Sequence, residues 1–106
     1  MKTFVFDIDN TLCRTEGSDY DNCEPMYDRI QVVNKIYDAG HKIILMTARG
    51  MGRSDNNPII ANQLFYTLTQ QQLEEWGVKY HQLFLGKPAA DHYIDDKGIK
   101  DSDFFK

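Results

Sequence analysis

At 106 residues and 12.3 kDa the chain has room for one domain around one core and none for a second folded module. Hydrophobic residues at 42% and charged residues at 26% are proportions that exclude a disordered chain. A net charge of -4 works against a nucleic-acid-binding face and repels small anions unless a metal ion intervenes. Met1-Lys2-Thr3 leads straight into apolar residues with no signal-peptide pattern, and no run approaches the roughly 18 apolar residues of a membrane span, so a cytoplasmic protein with no membrane partner is expected. Cys13 and Cys23 lack any Cys-x-x-Cys or Cys/His ligand spacing and read as two free thiols.

Residues 3–8 are short, β-branched, aromatic and apolar on both faces, which predicts a central parallel strand covered on two sides. That run ends abruptly in Asp7, Asp9, Asn10 and Thr11, and aspartate is seldom buried unpaired. The polar, turn-rich stretch from Cys13 to Cys23 follows as a loop able to cover a site. Pro25 suits a helix start, Met26, Ile30, Val33, Ile36 and Tyr37 keep helical spacing, and Gly40 suits a stop, which predicts a helix over 25–39. A second buried strand over 41–48 breaks into Thr47, Ala48, Arg49 and Gly50. Residues 50–68 open with a breaker-rich loop, and Ile59, Ile60, Leu64 and Leu68 hint at a helical face that Thr67 and Thr69 weaken. The capping-box spacing of Thr69 and Gln72 instead predicts a helix over 70–76. A third strand over 80–85 ends in Gly86-Lys87-Pro88, and a short fourth one over 92–94 ends in Asp95-Asp96. Phe104 and Phe105 in the tail are expected to pack back on the core.

Strands alternating with helices imply right-handed crossovers and a mainly parallel sheet with helices on both faces, a Rossmann-like three-layer α/β sandwich. In such sheets ligands bind beyond the carboxyl ends of the strands. Asp7, Asp9, Thr11, Thr47, Lys87, Asp95 and Asp96 all fall at such ends. Carboxylates crowded together raise one another's pKa values unless a cation joins them. Oxygen-only ligands suit Mg²⁺, which pairs with a few carboxylates and a substrate phosphate, while a hydroxyl and a lysine hold other phosphate oxygens. The set fits phosphoryl transfer.

Asp7-Ile8-Asp9-Asn10-Thr11, Thr47 in Met46-Thr47-Ala48-Arg49, Lys87 in Gly86-Lys87-Pro88, and Asp95-Asp96 occur in the order of the motifs of the haloacid dehalogenase (HAD) superfamily, which the chain resembles from about residue 3 to 98. Leu83-Phe84-Leu85-Gly86-Lys87-Pro88 with Tyr93-Ile94-Asp95-Asp96-Lys97 further resembles small HAD phosphatases found with capsule and surface-polysaccharide biosynthesis. The resemblance implies a HAD-like core, and no insertion is long enough for a cap domain. It implies Asp7 as a nucleophile forming an aspartyl-phosphate and Asp9 as general acid and then base. Mg²⁺ would be held by Asp7, the Asp9 carbonyl and Asp96, with Asp95 orienting the shell; Thr47 would bond a phosphoryl oxygen, and Lys87 would neutralise charge. Lys100 stands where many relatives carry a further acid.

Thr11, Arg14 and Arg49 are candidate substrate contacts, Arg49 foremost because it lies two residues from Thr47, and Arg53 is a further loop arginine. His41, His81 and His92 sit at strand starts, at the edge opposite the chemistry, and Gly50-Met51-Gly52 lacks the spacing of a nucleotide fingerprint. The expected activity is therefore Mg²⁺-dependent phosphomonoester hydrolysis on a small metabolite, a sugar or sugar-acid phosphate in polysaccharide biosynthesis. The competing readings are a protein or nucleic-acid phosphatase, which an uncapped site would admit, and a non-catalytic phospho-aspartate or partner-binding module. A homo-oligomer is compatible with all of them.

Overall fold

The computed structural model describes residues 1–106. The chain runs from β1 (Thr3–Asp7) through a small antiparallel ribbon, β2 (Cys13–Arg14) and β3 (Glu24–Pro25), with a single 3-10 turn (Tyr20–Asn22) between its strands. Next come α1 (Tyr27–Asp38), β4 (Lys42–Thr47), α2 (Pro58–Glu75), β5 (Gln82–Leu85) and a terminal turn of helix, α3 (Asp101–Phe104). No helix is long and apolar enough to cross a membrane.

β1, β4 and β5 form one parallel sheet in the order β1-β4-β5. The expected α/β class, parallel pairing and absence of a cap are therefore found, but β4 rather than β1 is the central strand. Its residues alternate between half-buried and buried, with Ile43 and Leu45 on the face that the helices cover. Phe4 stands beside Ile43, Phe6 beside Leu45, and Leu45 beside Leu83, so these side chains share one face. Ile30 and Val33 of α1 and Leu73 of α2 join the same buried cluster. The opposite face carries Val5, Ile44, Met46 and Phe84, of which Val5 is 59% and Phe84 48% exposed.

The expected second helical layer is thus not formed. Two right-handed crossovers that advance in one direction along a sheet must leave both helices on the same face, and reaching the other face requires the chain to turn back past β1. Residues 92–94 do not make that return strand. Ile94 is 95% exposed, and the Asp95 carboxylate closes a turn of its own by accepting the backbone N–H groups of Lys97 and Gly98, each at 2.6 Å. Three apolar-leaning residues next to an acidic turn have little surface with which to hold an edge.

α2 is the other departure. It begins at Pro58, with the Asn57 carboxamide oxygen accepting the N–H of Ile59 at 3.0 Å and of Ile60 at 3.3 Å. Thr69 and Gln72 therefore lie inside the helix rather than at its start, and both are buried. The loop before it passes close: Gly50 has φ +80°, and a Cβ there would come within 2.9 Å of Ala61 Cα and of Phe65 Cδ2. As expected, the tail closes on the core, with the Phe104 ring 5.5 Å from Phe6 and 6.3 Å from Phe4. His41 Nδ1 accepts the Lys2 N–H and His81 Nδ1 that of Ile43, so both act as structural acceptors at the strand starts.

Gly50→Ala combines a left-handed backbone with a clash against α2 and should lower stability by about 2 kcal/mol. Asn57→Ala should cost about 1 kcal/mol through loss of the cap. Urea unfolding midpoints check both, and an unshifted midpoint for Gly50→Ala would mean that α2 does not need the close approach.

Candidate active site

The tip of β1 is folded by its own backbone. The Ile8 carbonyl accepts the N–H groups of Thr11, Leu12 and Cys13 at 3.1, 2.8 and 3.3 Å, while Asn10 takes the left-handed region at φ +61°, which asparagine tolerates. Ile8 and Leu12 are fully buried under this turn and anchor it. Asp7 and Asp9 are left at the carboxyl end of the sheet with very different surroundings.

Asp9 is saturated. Its Oδ1 accepts from Thr15 Oγ1 at 2.7 Å, Arg49 Nη2 at 2.9 Å and Arg49 Nε at 3.3 Å, and its Oδ2 accepts from Arg49 Nε at 3.0 Å and Thr47 Oγ1 at 3.4 Å. Arg49, only 1% exposed, spends its remaining donors inside the protein. Nη1 donates to Thr69 Oγ1 at 3.1 Å and Gln72 Oε1 at 2.6 Å, and Nη2 lies 3.6 Å from Cys23 Sγ and 4.0 Å from Cys13 Sγ. The Tyr20 ring covers the guanidinium at 4.8 Å. Burial pulls the Arg49 guanidinium down, but Asp9 beside it prevails and holds it above its ordinary value. Cys13, desolvated in the same cluster, has its thiol pushed up to about 12 and is no nucleophile at neutral pH.

Asp7 has one charged neighbour at longer range, Lys87 Nζ at 3.8 Å, and its side chain keeps 35% of its exposure. Burial pushes its carboxyl above the ordinary value, with the Lys87 ammonium and the Ile8 N–H pulling back only in part. Lys87 is aimed from two sides: its N–H donates to the Thr47 carbonyl at 3.2 Å, and its ammonium lies 4.3 Å from the Tyr93 ring centroid.

The structure brings Asp7, Asp9, Thr47, Arg49 and Lys87 together, but not in every role the sequence suggests. Arg49 is not free to touch a substrate, since its side chain is walled in and paired. Thr47 is fully buried, with its hydroxyl accepting the Arg49 N–H at 3.1 Å and facing Asp9, so it supports the pair rather than pointing into open space. Thr11 contributes its carbonyl to Arg29 Nη1, and Arg14 lies on the exposed ribbon among Glu16, Asp19, Asn22 and Glu24. Arg53 stacks on Phe65 at 5.3 Å. Thr15, Tyr20, Thr69 and Gln72 are site residues that sequence reasoning passes over; polar Thr69 and Gln72, three apart on one face of a helix, are the detectable signal.

The structure does not bring Asp95 and Asp96 to this group. No three acidic, histidine or cysteine side chains are placed to hold one ion, Asp95 is spent on its own turn, and the Asp96 side chain is 87% exposed beside Lys97. What does suit Mg²⁺ is the Asp7 carboxylate with the Asp9 main-chain carbonyl, which accepts no hydrogen bond from the chain. Mg²⁺ commonly takes one or two carboxylates and fills its shell with water and phosphate.

Comparison with known proteins gives a consistent fold. No family model matches the chain, and no curated protein matches it. A crystal structure of a protein from Vibrio cholerae, an MCSG target, is 31% identical and superposes with a TM-score of 0.89 over 99% of this chain and 88% of that one. The D,D-heptose 1,7-bisphosphate phosphatase from B. bronchiseptica, solved with magnesium and phosphate, is 17% identical with a TM-score of 0.56. The match to it covers 86% of this chain and 52% of that one, so the chain spans about half of that protein.

Because burial holds the folded pKa of Asp7 above its ordinary value, the native state keeps this proton longer than the unfolded chain, and stability falls as pH rises from about 4 through the folded value. Asp7→Asn should therefore melt higher than the parent at pH 7, with the gain fading as pH falls through the folded pKa and gone below about 4. Equal melting temperatures at pH 7 would show that the ionised carboxylate carries no desolvation penalty. Arg49→Met should act oppositely, losing about 3 kcal/mol in urea because it leaves the Asp9 carboxylate without its partner.

Proposed function

This chain and the Vibrio cholerae protein belong to one family with the HAD-like fold, and we propose that it is a Mg²⁺-dependent phosphomonoesterase. The observation that carries the reading is the Asp7 carboxylate: half-buried at the carboxyl end of a parallel sheet, raised in pKa by burial, with the Lys87 ammonium 3.8 Å away. A carboxylate freed of part of its hydration and not tightly paired is suited to attack.

In the proposed reaction an Asp7 oxygen forms a bond to phosphorus as the ester P–O bond breaks, and the departing alkoxide takes a proton from Asp9. Water, giving its proton back to Asp9, then attacks the aspartyl-phosphate and returns Asp7 with release of phosphate. Lys87 supplies positive charge to the phosphoryl oxygens throughout. Mg²⁺ would be held by the Asp7 carboxylate and the Asp9 carbonyl, and when bound it offsets phosphate charge. Thr47 acts by holding Asp9 and the backbone of Arg49.

A small phosphorylated sugar or sugar acid is the proposed substrate, and capsule or polysaccharide biosynthesis the setting that the Gly86-Lys87-Pro88 and Tyr93-Ile94-Asp95-Asp96 resemblance suggests. The sugar bisphosphate named for the B. bronchiseptica phosphatase supports the substrate class. The chain carries no cap over Asp7, and that openness keeps a phosphorylated macromolecule as the second reading.

Asp7→Asn and chelation of Mg²⁺ should each reduce hydrolysis of a chromogenic phosphate ester to background, although the variant folds. Wild-type turnover by Asp7→Asn would end the nucleophile assignment. Rates on a panel of phosphosugars, phosphopeptides and phosphorylated DNA ends should favour the sugars, and a preference for either polymer would replace the substrate reading.

A further inference from the structure

We propose that Arg53 and the pocket it lines form a specificity subsite for a second anionic group on the substrate, a carboxylate or a further phosphoryl group remote from the ester that is hydrolysed. The inference rests on the phosphomonoesterase reading above and narrows it to substrates that carry two anions.

The pocket lies between the loop that follows β1 and the loop that follows β4, both at the carboxyl end of the sheet, and is lined by Ser18, Tyr20, Gly50, Gly52, Arg53 and Phe65. No acidic side chain lines it. The Ser18 and Tyr20 hydroxyls, the N–H groups of Gly50 and Gly52 and the Arg53 guanidinium make no hydrogen bond within the protein. The carbonyls of Ser18, Tyr20 and Gly50, by contrast, accept from the Tyr20 N–H, Gln72 Nε2 and the Ser54 hydroxyl. The groups left free can all donate, which suits an anion. Free space of about 50 Å³ is several times what one water needs and fits a carboxylate or phosphoryl group.

Arg53 is held in readiness by its surroundings. Its guanidinium lies over the Phe65 ring at 5.3 Å, a face contact that leaves the N–H edge available. Phe65 is itself fixed: the Tyr20 ring meets it edge-on at 5.0 Å, and a Cβ at Gly50 would lie 2.9 Å from its Cδ2. No carboxylate pairs with Arg53, whereas Arg14 stands among Glu16, Asp19 and Glu24, and Lys87 faces Asp7.

Tyr20 joins the pocket to the reacting centre. Its ring covers Arg49, whose Nη2 is 2.9 Å from Asp9 Oδ1, so the ring centre lies within about 9 Å of the Asp9 carboxylate. Asp9 and Arg49 in turn are near enough to act on the Asp7 carboxyl. A sugar phosphate with a second anion at the other end of its carbon chain spans such a separation.

Esters that differ only in the remote group test the subsite. 6-Phosphogluconate and sorbitol 6-phosphate share one carbon chain and one ester, and end in a carboxylate and a hydroxymethyl group respectively. Fructose 1,6-bisphosphate and fructose 6-phosphate make the same comparison for a phosphoryl group. With Mg²⁺ supplied, kcat/KM should favour the charged member of at least one pair by about 30-fold, mainly through KM, and the pair that responds identifies the anion. Arg53→Met should bring that ratio to within about threefold of one, and Arg53→Lys should restore part of it. Ser18→Ala, at an exposed loop position, should lower it about threefold and decides by the same criterion if Arg53→Met does not fold. A variant that only loosens the fold lowers both members alike, so a ratio unchanged in Arg53→Met would overturn the subsite. A wild-type ratio near one in both pairs, or turnover of 4-nitrophenyl phosphate with none of the four sugars, would overturn it too while leaving the phosphatase reading intact. Wild-type protein inactive on 4-nitrophenyl phosphate as well would overturn both.

Discussion

A buried arginine is the constraint around which this small protein is arranged. Removing a guanidinium and a carboxylate from water carries a penalty of several kcal/mol per ion, which their attraction offsets only if the remaining donors find partners. Arg49 meets that condition through three separate parts of the chain: the β1 tip gives Asp9, the following loop gives Tyr20 and Cys23, and α2 gives Thr69 and Gln72. These parts are far apart in sequence and cannot satisfy Arg49 unless all are in place. The pair therefore specifies the arrangement of the carboxyl end of the sheet even where its net contribution to stability is small.

The placement of α2 follows from the same requirement. Gly50, directly after Arg49, lets the backbone turn at positive φ and pass within contact of Ala61 and Phe65, and this proximity brings Thr69 and Gln72 level with the guanidinium. The helix thus packs by its apolar residues at Ala61 and Leu73 and by its polar ones at Thr69 and Gln72. A helix with so mixed an inner face shows weak periodicity, for the reason that part of what it buries is an ion pair.

That mixture explains what was legible in the sequence. The buried strands, α1 and the acidic tip of β1 could be read because apolar runs and turn residues obey local rules. α2 could not be bounded, since Thr69 and Gln72 imitate a helix start when their partner is unknown, and a buried arginine twenty or more residues away leaves no local mark. The order β1-β4-β5 and the bare sheet face of Val5 and Phe84 depend on how crossovers accumulate, which periodicity does not encode. In the site, Asp7 and Lys87 were recognisable as a charged couple at strand ends. Arg49 stands out in the sequence by its position beside Thr47, whereas its burial is not legible there because exposure cannot be read from neighbours in sequence. Asp95 and Asp96 are linked to the ion by motif resemblance and an expected strand end, and the turn in which the structure places them uses Asp95 internally.

Two carboxylates separated by one residue thus receive opposite treatment from the fold, and the difference follows from strand geometry. Asp7 is the last residue of β1 and keeps the strand's alternation, standing on the face of Val5, where no helix packs. Asp9 lies beyond the strand, in a turn whose backbone is bonded to the Ile8 carbonyl, and is free of that alternation, so its carboxylate can reach the interior on the side of α2. One acid is desolvated with a single cation at the edge of contact; the other is enclosed by donors. A group that attacks phosphorus benefits from the first condition, because strong hydrogen bonds would hold its lone pairs, whereas the second fixes a carboxylate in its charged form against Arg49.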